Sequence, residues 1–328
     1  MSLLDQIHVD DSLAKTLSDE LNLVTCVFEE QLVSEHEYIN HLCSHLERYR
    51  GKMLRPTLVM LAGLSSSTEP LTQSHRVVAA VVEMIHMATL VHDDVLDDAG
   101  IRRGGQTINA LHGNEMAVML GDYLISNAFH LCSQIGDPAI NTCLGFVTNT
   151  LCEGELIQLK HRNDHELDQA VYNTIVRKKT ASLIGASCRM GAELSGADGD
   201  VVLCLERFGN AVGVAFQITD DVLDLVGVQE VVGKSVGKDL DKGKLTLPTI
   251  ISLADADDQR RRVLLDLVDS CDLAGLKATL LEDGSIHKAM EQAAGLVGEA
   301  KMELNGLAPS PSKDLLATLA DGILDRQF

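Results

Sequence analysis

The chain is 328 residues long, 45% hydrophobic and 23% charged, with a formal net charge of −21. A field of that sign repels phosphate backbones and anionic lipid surfaces, so nucleic acid is not expected as a partner and a phosphorylated ligand needs locally gathered cations. With 6 Pro and no Pro/Gly/Ser-rich stretch or charge block to divide it, the chain reads as a single domain over residues 1–328, ample for a core.

From the N-terminus, MSLLDQIHVDDSLAK is acidic and lacks the apolar core of a signal peptide. LVTCVFEEQLVSEHEYINHLCSHLERY repeats apolar residues at three- and four-residue spacing, the period of an amphipathic helix. SSSTEP marks a loop. Residues 79–98 are apolar on nearly every face, which predicts a helix at the centre of a bundle, and AGIRRGGQT follows as a loop. Residues 211–226 form a second such helix, followed by a glycine-rich loop from Gly227 to Gly243. NGLAPSPSKD is again a loop, and DLLATLADGILDRQF is amphipathic. Alternating β-branched and aromatic runs are nearly absent, so the expected fold class is all-α, with ten or more helices. No apolar run approaches about 18 residues, so no integral membrane segment is expected. The 8 cysteines are scattered without CxxC or zinc-site spacing, which fits reduced thiols in a cytoplasmic chain.

The pentapeptide DDVLD occurs twice, at Asp93–Asp97 and Asp220–Asp224, once in each of the two most apolar segments. Residues four apart share a helix face, so Asp93 stacks on Asp97, Asp94 on Asp98, and Asp220 on Asp224 with Asp221 beside them. Like charges at this spacing oppose a helix by roughly 0.2–0.5 kcal/mol per pair, and burial costs far more unless a cation is present. One such cluster reads as a solvated helix end; two identical clusters on buried helices read as a cation site. The donors are all carboxylates, which suits Mg²⁺ or Mn²⁺. Mg²⁺ takes one or two protein carboxylates and completes its shell with water and phosphate oxygens. An EF-hand is excluded, because no DxDxDG loop is present.

Cations are scarce in this chain, yet several flank these motifs: Lys52 and Arg55 in RGKMLRP, Arg102 and Arg103 after the first acid cluster, Lys179 in RKKTASL, and Lys234, Lys238 and Lys244 in GKSVGKDLDKGKLTLP. Taken singly each is a surface charge. Placed beside both acid clusters, with a divalent metal, they make a diphosphate clamp. VGKS at 232–235 hints at a P-loop, but five residues separate Gly227 from Gly233 where that loop has four, and the stretch follows a helix.

The ordered run GKMLRP, EMIHMATLVHDDVLDDAGIRRGGQT, GDYLISNAF, EGELIQL, KKTASL, GVAFQITDDVLDL and GKSVGKDLDKGKLTLP resembles the trans-polyprenyl diphosphate synthases over nearly the whole chain. The resemblance implies a bundle of antiparallel helices around a central cavity, usually a homodimer. It implies head-to-tail condensation of isopentenyl diphosphate with an allylic diphosphate. By the same resemblance Asp93, Asp94, Asp97, Asp220, Asp221 and Asp224 hold Mg²⁺ on the allylic diphosphate, which Arg102, Lys179, Lys234 and Lys244 also contact. Lys52, Arg55, His86 and Arg103 hold isopentenyl diphosphate. Thr180 and Gln217 lie near the developing allylic cation, and Gln158 lies near the metal-bound diphosphate. The released diphosphate serves as base, which fits the absence of a His–Asp or Ser–His constellation. Two departures from the family pattern are Arg50 and Met53, where the family usually has a second Gly before the Lys and an Arg after it, so that Met53 removes one possible phosphate cation, and Gln106 in place of a Pro before Thr107.

The growing tail is expected to run along the first acid-bearing helix, away from the metals. One turn before Asp93 stand Ala88 and Thr89, where short-chain members carry an aromatic plug. A small residue there opens the path, so a product longer than C20, in the range C30–C45, is expected, with Met119, Tyr123 or Phe129 as floor. The rival readings are a short-chain C15/C20 synthase, a class I terpene cyclase, a phosphohydrolase suggested by His92-Asp93, and a non-catalytic subunit of a heteromeric synthase. A cyclase guides its cations with aromatic walls, whereas this chain has no Trp and 3% aromatics. The twin DDVLD leaves the phosphohydrolase unsupported, and two intact acid motifs argue against a non-catalytic role.

Overall fold

Apolar stretches with few prolines fold here as helices wherever a cap and a stop are available. The computed structural model describes residues 11–227 and 236–325, apart from the side chain of Arg48. Among these residues there are sixteen α-helices, and the β-structure is one small hairpin, Ile101–Arg102 (β1) antiparallel to Gly105–Gln106 (β2). The all-α expectation holds. The loop expected at AGIRRGGQT contains this hairpin, and its two tip residues, Arg103 (φ 49°) and Gly104 (φ 75°), both take the left-handed values that a tight two-residue turn requires.

The chain divides into two compact units. The first takes in the described residues up to Thr148, with Leu183–Gly209 and Glu303–Leu319; the second takes in Asn149–Ser182, the described part of Asn210–Met302, and the residues from Ala320 onward. The unit boundaries at 148/149 and 209/210 fall inside the helices Pro138–Lys160 (α7) and Gly199–Val226 (α10).

In the first unit, α1 (Asp11–Gln31) buries one stripe, Leu17, Val24 and Phe28, as its amphipathic pattern demands. α2 (Glu37–Ser44) runs into a 3₁₀ turn, His45–Tyr49. α3 (Leu54–Ser66), α5 (Ile108–His112) and α6 (Asn114–Ser133) join α1 in packing against α4 (Gln73–Leu96). Ringed in this way, α4 buries residues on every face, from Val77 through Ala88 to Val91. Its first turn is fastened by His75 Nδ1, which accepts from the Thr72 backbone N–H at 3.1 Å. α4 and α10 each have the length and apolar content of a membrane-crossing helix, which counting unbroken apolar runs had missed. In α4, however, 72% of the most apolar stretch is buried inside the protein, as in a core helix.

The second unit contains α8 (Gln169–Val176), a π turn at Arg177–Ala181 and the acid-bearing end of α10, while the helix after the turn, α9 (Ser182–Leu194), belongs from Leu183 onward to the first. The second unit continues with α11 (Lys238–Asp241), α12 (Leu247–Asp255), α13 (Asp258–Asp269), α14 (Leu273–Glu282) and α15 (Ser285–Glu303). Side chains cap these helices where the sequence allows: Asp168, Asp257 and Asp272 accept from Val171, Arg260 and Gly275 N–H at 2.8, 2.8 and 3.0 Å. α12 packs on α8 and α14. All eight cysteines are free.

Within the first unit α9 crosses α3 at Gly191, where an added Cβ would lie 2.2 Å from the Val59 carbonyl oxygen. Backbone, not a flexible side chain, blocks that position. Gly191→Ala is expected to cost about 1–3 kcal/mol, in the manner of an overpacked core. Urea unfolding checks this, and a midpoint equal to the wild type would contradict the close approach.

Candidate active site

Both DDVLD copies sit at the C-terminal end of a long helix, where the macrodipole is negative and repels further anions. α4 ends at Leu96, with Asp97 as its C-cap. Asp98 adopts φ 47°, its N–H donates to the Val95 carbonyl at 3.2 Å, and the Ala99 N–H donates to the Asp94 carbonyl at 2.9 Å. This is a Schellman stop, with an aspartate in the place usually taken by glycine. The expected stacking of Asp94 on Asp98 is therefore not found: the helix is over before Asp98, which is exposed while Asp94 is 1% exposed. Asp93 and Asp97 are both half-buried at the helix end.

Asp94 is the anchor of the first half-site. The Tyr49 hydroxyl donates to its Oδ2 at 2.8 Å. Arg102 donates from Nε to both carboxylate oxygens at 3.0 Å and from Nη2 to Oδ1 at 2.7 Å. The Arg102 guanidinium also lies 5.7 Å over the Tyr49 ring. The Tyr49 hydroxyl in turn accepts from Ile108 N–H at 3.2 Å, and Asn109 Nδ2 donates to the Asp94 and Ala99 carbonyls at 3.2 and 3.1 Å. Hairpin, 3₁₀ turn and α5 thus converge on one buried carboxylate, whose charge is neutralised by a guanidinium fork.

Four of the expected anion-binding residues belong to the same unit. Arg103 donates to the Tyr49 carbonyl at 3.0 Å, and its guanidinium lies over Gly51, where a Cβ would come within 2.8 Å of Nη2. Arg55 and Arg103 both act on buried Glu83, 3% exposed, and hold its pKa down against a burial effect that raises it overall. Burial pushes the Arg55 guanidinium down to about 10, and its buried Nε has no hydrogen-bond partner. His86 is driven well below the ordinary 6.5 by burial and then by Arg55, Arg103 and Arg102, so it stands as a neutral imidazole among three cations. Lys52 is exposed at the start of this segment. An unpaired guanidinium N–H in a cationic cluster is a donor suited to an anion.

The second half-site is built around the π turn. Glycines let neighbouring helices close on it: a Cβ at Gly154 would meet Lys179 N at 2.8 Å, and one at Gly213 would meet Ala181 Cα at 2.5 Å. From this wide turn Lys179 Nζ donates to Gln158 Oε1 at 2.9 Å and pairs with Glu155, both on α7. Thr180 Oγ1 donates to Gln217 Oε1 at 2.8 Å. Gln217 Nε2 then donates to Asp221 Oδ1 at 2.8 Å, and the Tyr172 hydroxyl donates to Asp221 Oδ2 at 2.6 Å. Asp224, 4% exposed, accepts at Oδ2 from Asp239 N–H at 3.0 Å. Asp220 is half-buried one residue before Asp221. Lys244 is half-buried on the loop after α11, with its N–H on the Asp239 carbonyl at 2.8 Å. That loop is tied to the end of α7 by Asn163 N–H on the Gly243 carbonyl at 2.8 Å.

The donor set fits a hard divalent cation. Burial raises Asp221 well above the usual carboxylate range, and Asp239 and Asp220 raise it further, despite the hydrogen bonds from Tyr172 and Gln217. Excess negative charge gathered in a dry place is relieved by a metal with oxygen ligands. Of the expected ligands, Asp93 and Asp97 are half-buried at the end of α4, and Asp220, Asp221 and Asp224 lie at the end of α10. Asp94, expected among the metal ligands, is turned toward Arg102 and Tyr49. Lys234 lies outside the described residues. Ala88 is fully buried on α4 and Thr89 is half-buried, its hydroxyl donating to the His86 carbonyl at 2.7 Å. Met119 is 61% exposed, because α6 turns Ala117, Leu120 and Leu124 inward instead; Tyr123 and Phe129 are half-buried. Sequence reasoning missed Tyr49, Tyr172, Glu83 and Asp239. Asp239 had a signal, as one of two acids in the lysine-rich GKDLDKGK; an isolated tyrosine has none.

With this geometry in place, the chain can be compared with known proteins. A model of the polyprenyl synthetase family matches residues 36–278. The chain is 35% identical to the heptaprenyl diphosphate synthase component 2 of Geobacillus stearothermophilus, covering 95% of this chain and 97% of that one. Among solved structures, a decaprenyl diphosphate synthase from Rhodobacter capsulatus superposes with a TM-score of 0.89 at 34% identity, over 96% of this chain and 98% of that one. A polyprenyl synthase from Caulobacter crescentus, complexed with calcium and isoprenyl diphosphate, gives 0.90 at 30% identity over 96% and 97%. The fold is that of the all-α isoprenoid synthases. The chain belongs to the polyprenyl synthetase family, whose members are prenyltransferases.

Two outcomes follow from the first half-site. Tyr49→Phe strips a donor from buried Asp94 and an acceptor from Ile108 N–H, and should cost about 1–3 kcal/mol. Tyr38→Phe, at a side chain 51% exposed, should cost almost nothing; equal midpoints in urea for the two variants would contradict the network. For His86 the folded pKa lies below the unfolded 6.5, so the unfolded chain takes up the proton first. Its contribution to stability is complete above 6.5 and falls as pH drops through the window beneath. His86→Gln should flatten the wild-type loss of melting temperature between neutral pH and about pH 5; parallel curves would show that His86 is not held neutral.

Proposed function

We propose that this chain is a Mg²⁺-dependent prenyltransferase that condenses isopentenyl diphosphate head-to-tail with an allylic diphosphate and makes an all-trans product longer than C20. The observation that carries this reading is the cluster of Arg55, Arg103 and neutral His86, with the orphaned Arg55 Nε, in the same compact unit as the Asp94–Arg102 fork. It offers a place for one diphosphate that the acid motif itself does not occupy. Membership of the polyprenyl synthetase family supports the same reaction.

In this reading the chain works as one synthase domain, and each unit brings one acid motif to the reaction. Asp93, Asp97, Asp220, Asp221 and Asp224 hold Mg²⁺, with Mn²⁺ as a substitute. When bound, the metal acts as a Lewis acid on the oxygens of the leaving diphosphate. Arg102, held in line by Asp94, adds fixed positive charge to the same group, with Lys179, Lys244 and Lys234. Lys52, Arg55, Arg103 and His86 fix isopentenyl diphosphate so that its double bond lies against the allylic carbon. The double bond attacks that carbon, the carbon–oxygen bond breaks with its electrons leaving on diphosphate, and the proton released from isopentenyl diphosphate passes to the departing diphosphate. Thr180 and Gln217 turn oxygen atoms toward the developing cation, and Gln158 positions Lys179. We place the protein in the cytoplasm as a homodimer, supported by the exposed apolar Met116, Val118 and Met119 on α6.

The long product rests on Ala88, whose small side chain leaves room where an aromatic would close the path, and accords with the heptaprenyl and decaprenyl names of the relatives above. A second reading has one observation in its favour: the Geobacillus relative is named a component 2, so this chain could be the catalytic member of a pair.

Purified protein incubated with Mg²⁺, farnesyl diphosphate and labelled isopentenyl diphosphate, followed by sizing of the dephosphorylated prenols, tests these readings. A discrete product beyond C20 supports an autonomous synthase, and no incorporation with any common allylic primer favours the paired reading. Arg55→Gln should raise KM for isopentenyl diphosphate by roughly tenfold or more, the loss of a charge-assisted bond, and leave KM for the allylic primer nearly unchanged. Ala88→Phe should shorten the product; an unchanged length would remove Ala88 from the path.

A further inference from the structure

A second cluster of metal-binding side chains lies apart from both acid motifs. His41 and His45 are four residues apart, at the end of α2 and the start of the 3₁₀ turn, and so share a face. His112 is the last residue of α5, after which Gly113 at φ 86° turns the chain away. Each imidazole offers one ring nitrogen, and these atoms lie within 4.8 Å of one another. The ring centroids are 5.0, 5.3 and 6.1 Å apart and the planes cross at 76°, 54° and 88°. The rings are therefore not stacked in parallel but meet at steep angles, leaving their edges close together. His112 Nε2 is buried and has no hydrogen-bond partner.

We propose that His41, His45 and His112 form a binding site for a divalent transition-metal ion of the zinc class. Three imidazoles suit Zn²⁺, Ni²⁺ or Cu²⁺ and are poor ligands for Mg²⁺, which takes oxygen. The cluster contains no carboxylate or thiol among the described residues. Cys43 lies between His41 and His45 in sequence, but two residues along a helix point to another face, and it is not part of the cluster. Zn–N bonds of about 2.0–2.1 Å place ligand nitrogens roughly 3.4 Å apart. Small rotations about the side-chain bonds bring nitrogens already within 4.8 Å to that spacing. His41 is exposed, so water completes the shell.

The ion would act at a distance from the reaction. His45 opens the turn that ends in Tyr49, and His112 closes the helix that begins with Ile108, whose N–H rests on the Tyr49 hydroxyl at 3.2 Å. A metal bound by the three histidines fastens the same two elements that Tyr49 fastens, and so stiffens the support of Asp94 and Arg102.

Tag-free, metal-stripped full-length protein in millimolar Mg²⁺, which occupies the carboxylate sites, is titrated with Co²⁺ and then with Zn²⁺. The expected result is one equivalent of Co²⁺ with the intense visible bands of a low-coordinate nitrogen site, displacement by Zn²⁺, and a higher melting temperature. Changes one shell out from a metal already cost 10–100-fold in affinity, so losing a ligand should cost at least about tenfold in His112→Gln and, separately, in His41→Gln. His41 is exposed, so His41→Gln in chelator should melt with the wild type and keep the comparison sound if His112→Gln folds poorly. Uptake as tight in His41→Gln as in the wild type, or no uptake at micromolar Zn²⁺, overturns the assignment.

Discussion

Carboxylates stacked at the negative end of a helix are the constraint on which the rest of this site depends. A unit charge at a helix terminus is worth about 0.3–1 kcal/mol, unfavourable here, and each like-charged pair one turn apart adds roughly 0.2–0.5 kcal/mol against the helix. Neither α4 nor α10 has a basic residue in its last turn to offset this. Burial makes the penalty larger still, since Asp94, Asp221 and Asp224 are all below 6% exposed. The local architecture answers this problem. The hairpin carries Arg102 back onto α4, the Schellman stop releases Asp98 to water, and the 3₁₀ turn and α8 each deliver a tyrosine hydroxyl.

The two copies of DDVLD meet the problem differently. Their second aspartates, Asp94 and Asp221, each accept a tyrosine hydroxyl, at 2.8 and 2.6 Å. Beyond that the environments part. Asp94 has a guanidinium fork and is neutralised in place. Asp221 has the neutral Gln217 amide, with Asp239 and Asp220 close enough to push its pKa further up. The same five residues therefore stand in two different settings, one with a guanidinium on its second aspartate and one with further carboxylates beside a buried aspartate. Carboxylates crowded in this way favour a hard cation with oxygen ligands, which supports the proposed metal ions.

Much of this was legible in the sequence, for reasons that can be named. A helical period survives in the pattern of apolar residues whatever the tertiary contacts, so the all-α class and the central place of α4 were readable from it. The acid clusters were readable because repetition on two apolar segments has no simpler explanation. The motifs KKTASL and GVAFQITDDVLDL named Lys179, Thr180 and Gln217 individually, but the hydrogen bonds that join Lys179 to Gln158 and Thr180 to Gln217 were not readable from them. What failed depended on backbone detail or on partners distant in sequence. Asp98 was put on a helix that stops two residues earlier, because an αL aspartate leaves no compositional mark. Counting apolar runs understated α4 and α10, because single polar residues interrupt a run without making a helix polar. Tyr49 and Tyr172 lie 45 and 49 residues from the carboxylates they serve, and nothing local marks them among four tyrosines.

A chain of net charge −21 that is proposed to hold two diphosphates must build positive potential locally, and the first unit shows how. Arg55, Arg102 and Arg103 crowd around His86, and each lowers its pKa. Burial and Arg102 both lower the Arg103 pKa, and burial pushes Arg55 down to about 10. Glu83, buried beneath them, is the counter-charge that keeps the cluster together, since Arg55, Arg103 and Arg50 all favour its ionised form. Asp94 is matched to Arg102 and Glu83 is shared between Arg55 and Arg103, so the cluster keeps net positive charge. A protein can thus be strongly acidic in total and still attract an anion at one place. Total charge bears on broad electrostatic partners such as nucleic acid, but it says little about a place where three arginines act on one buried histidine.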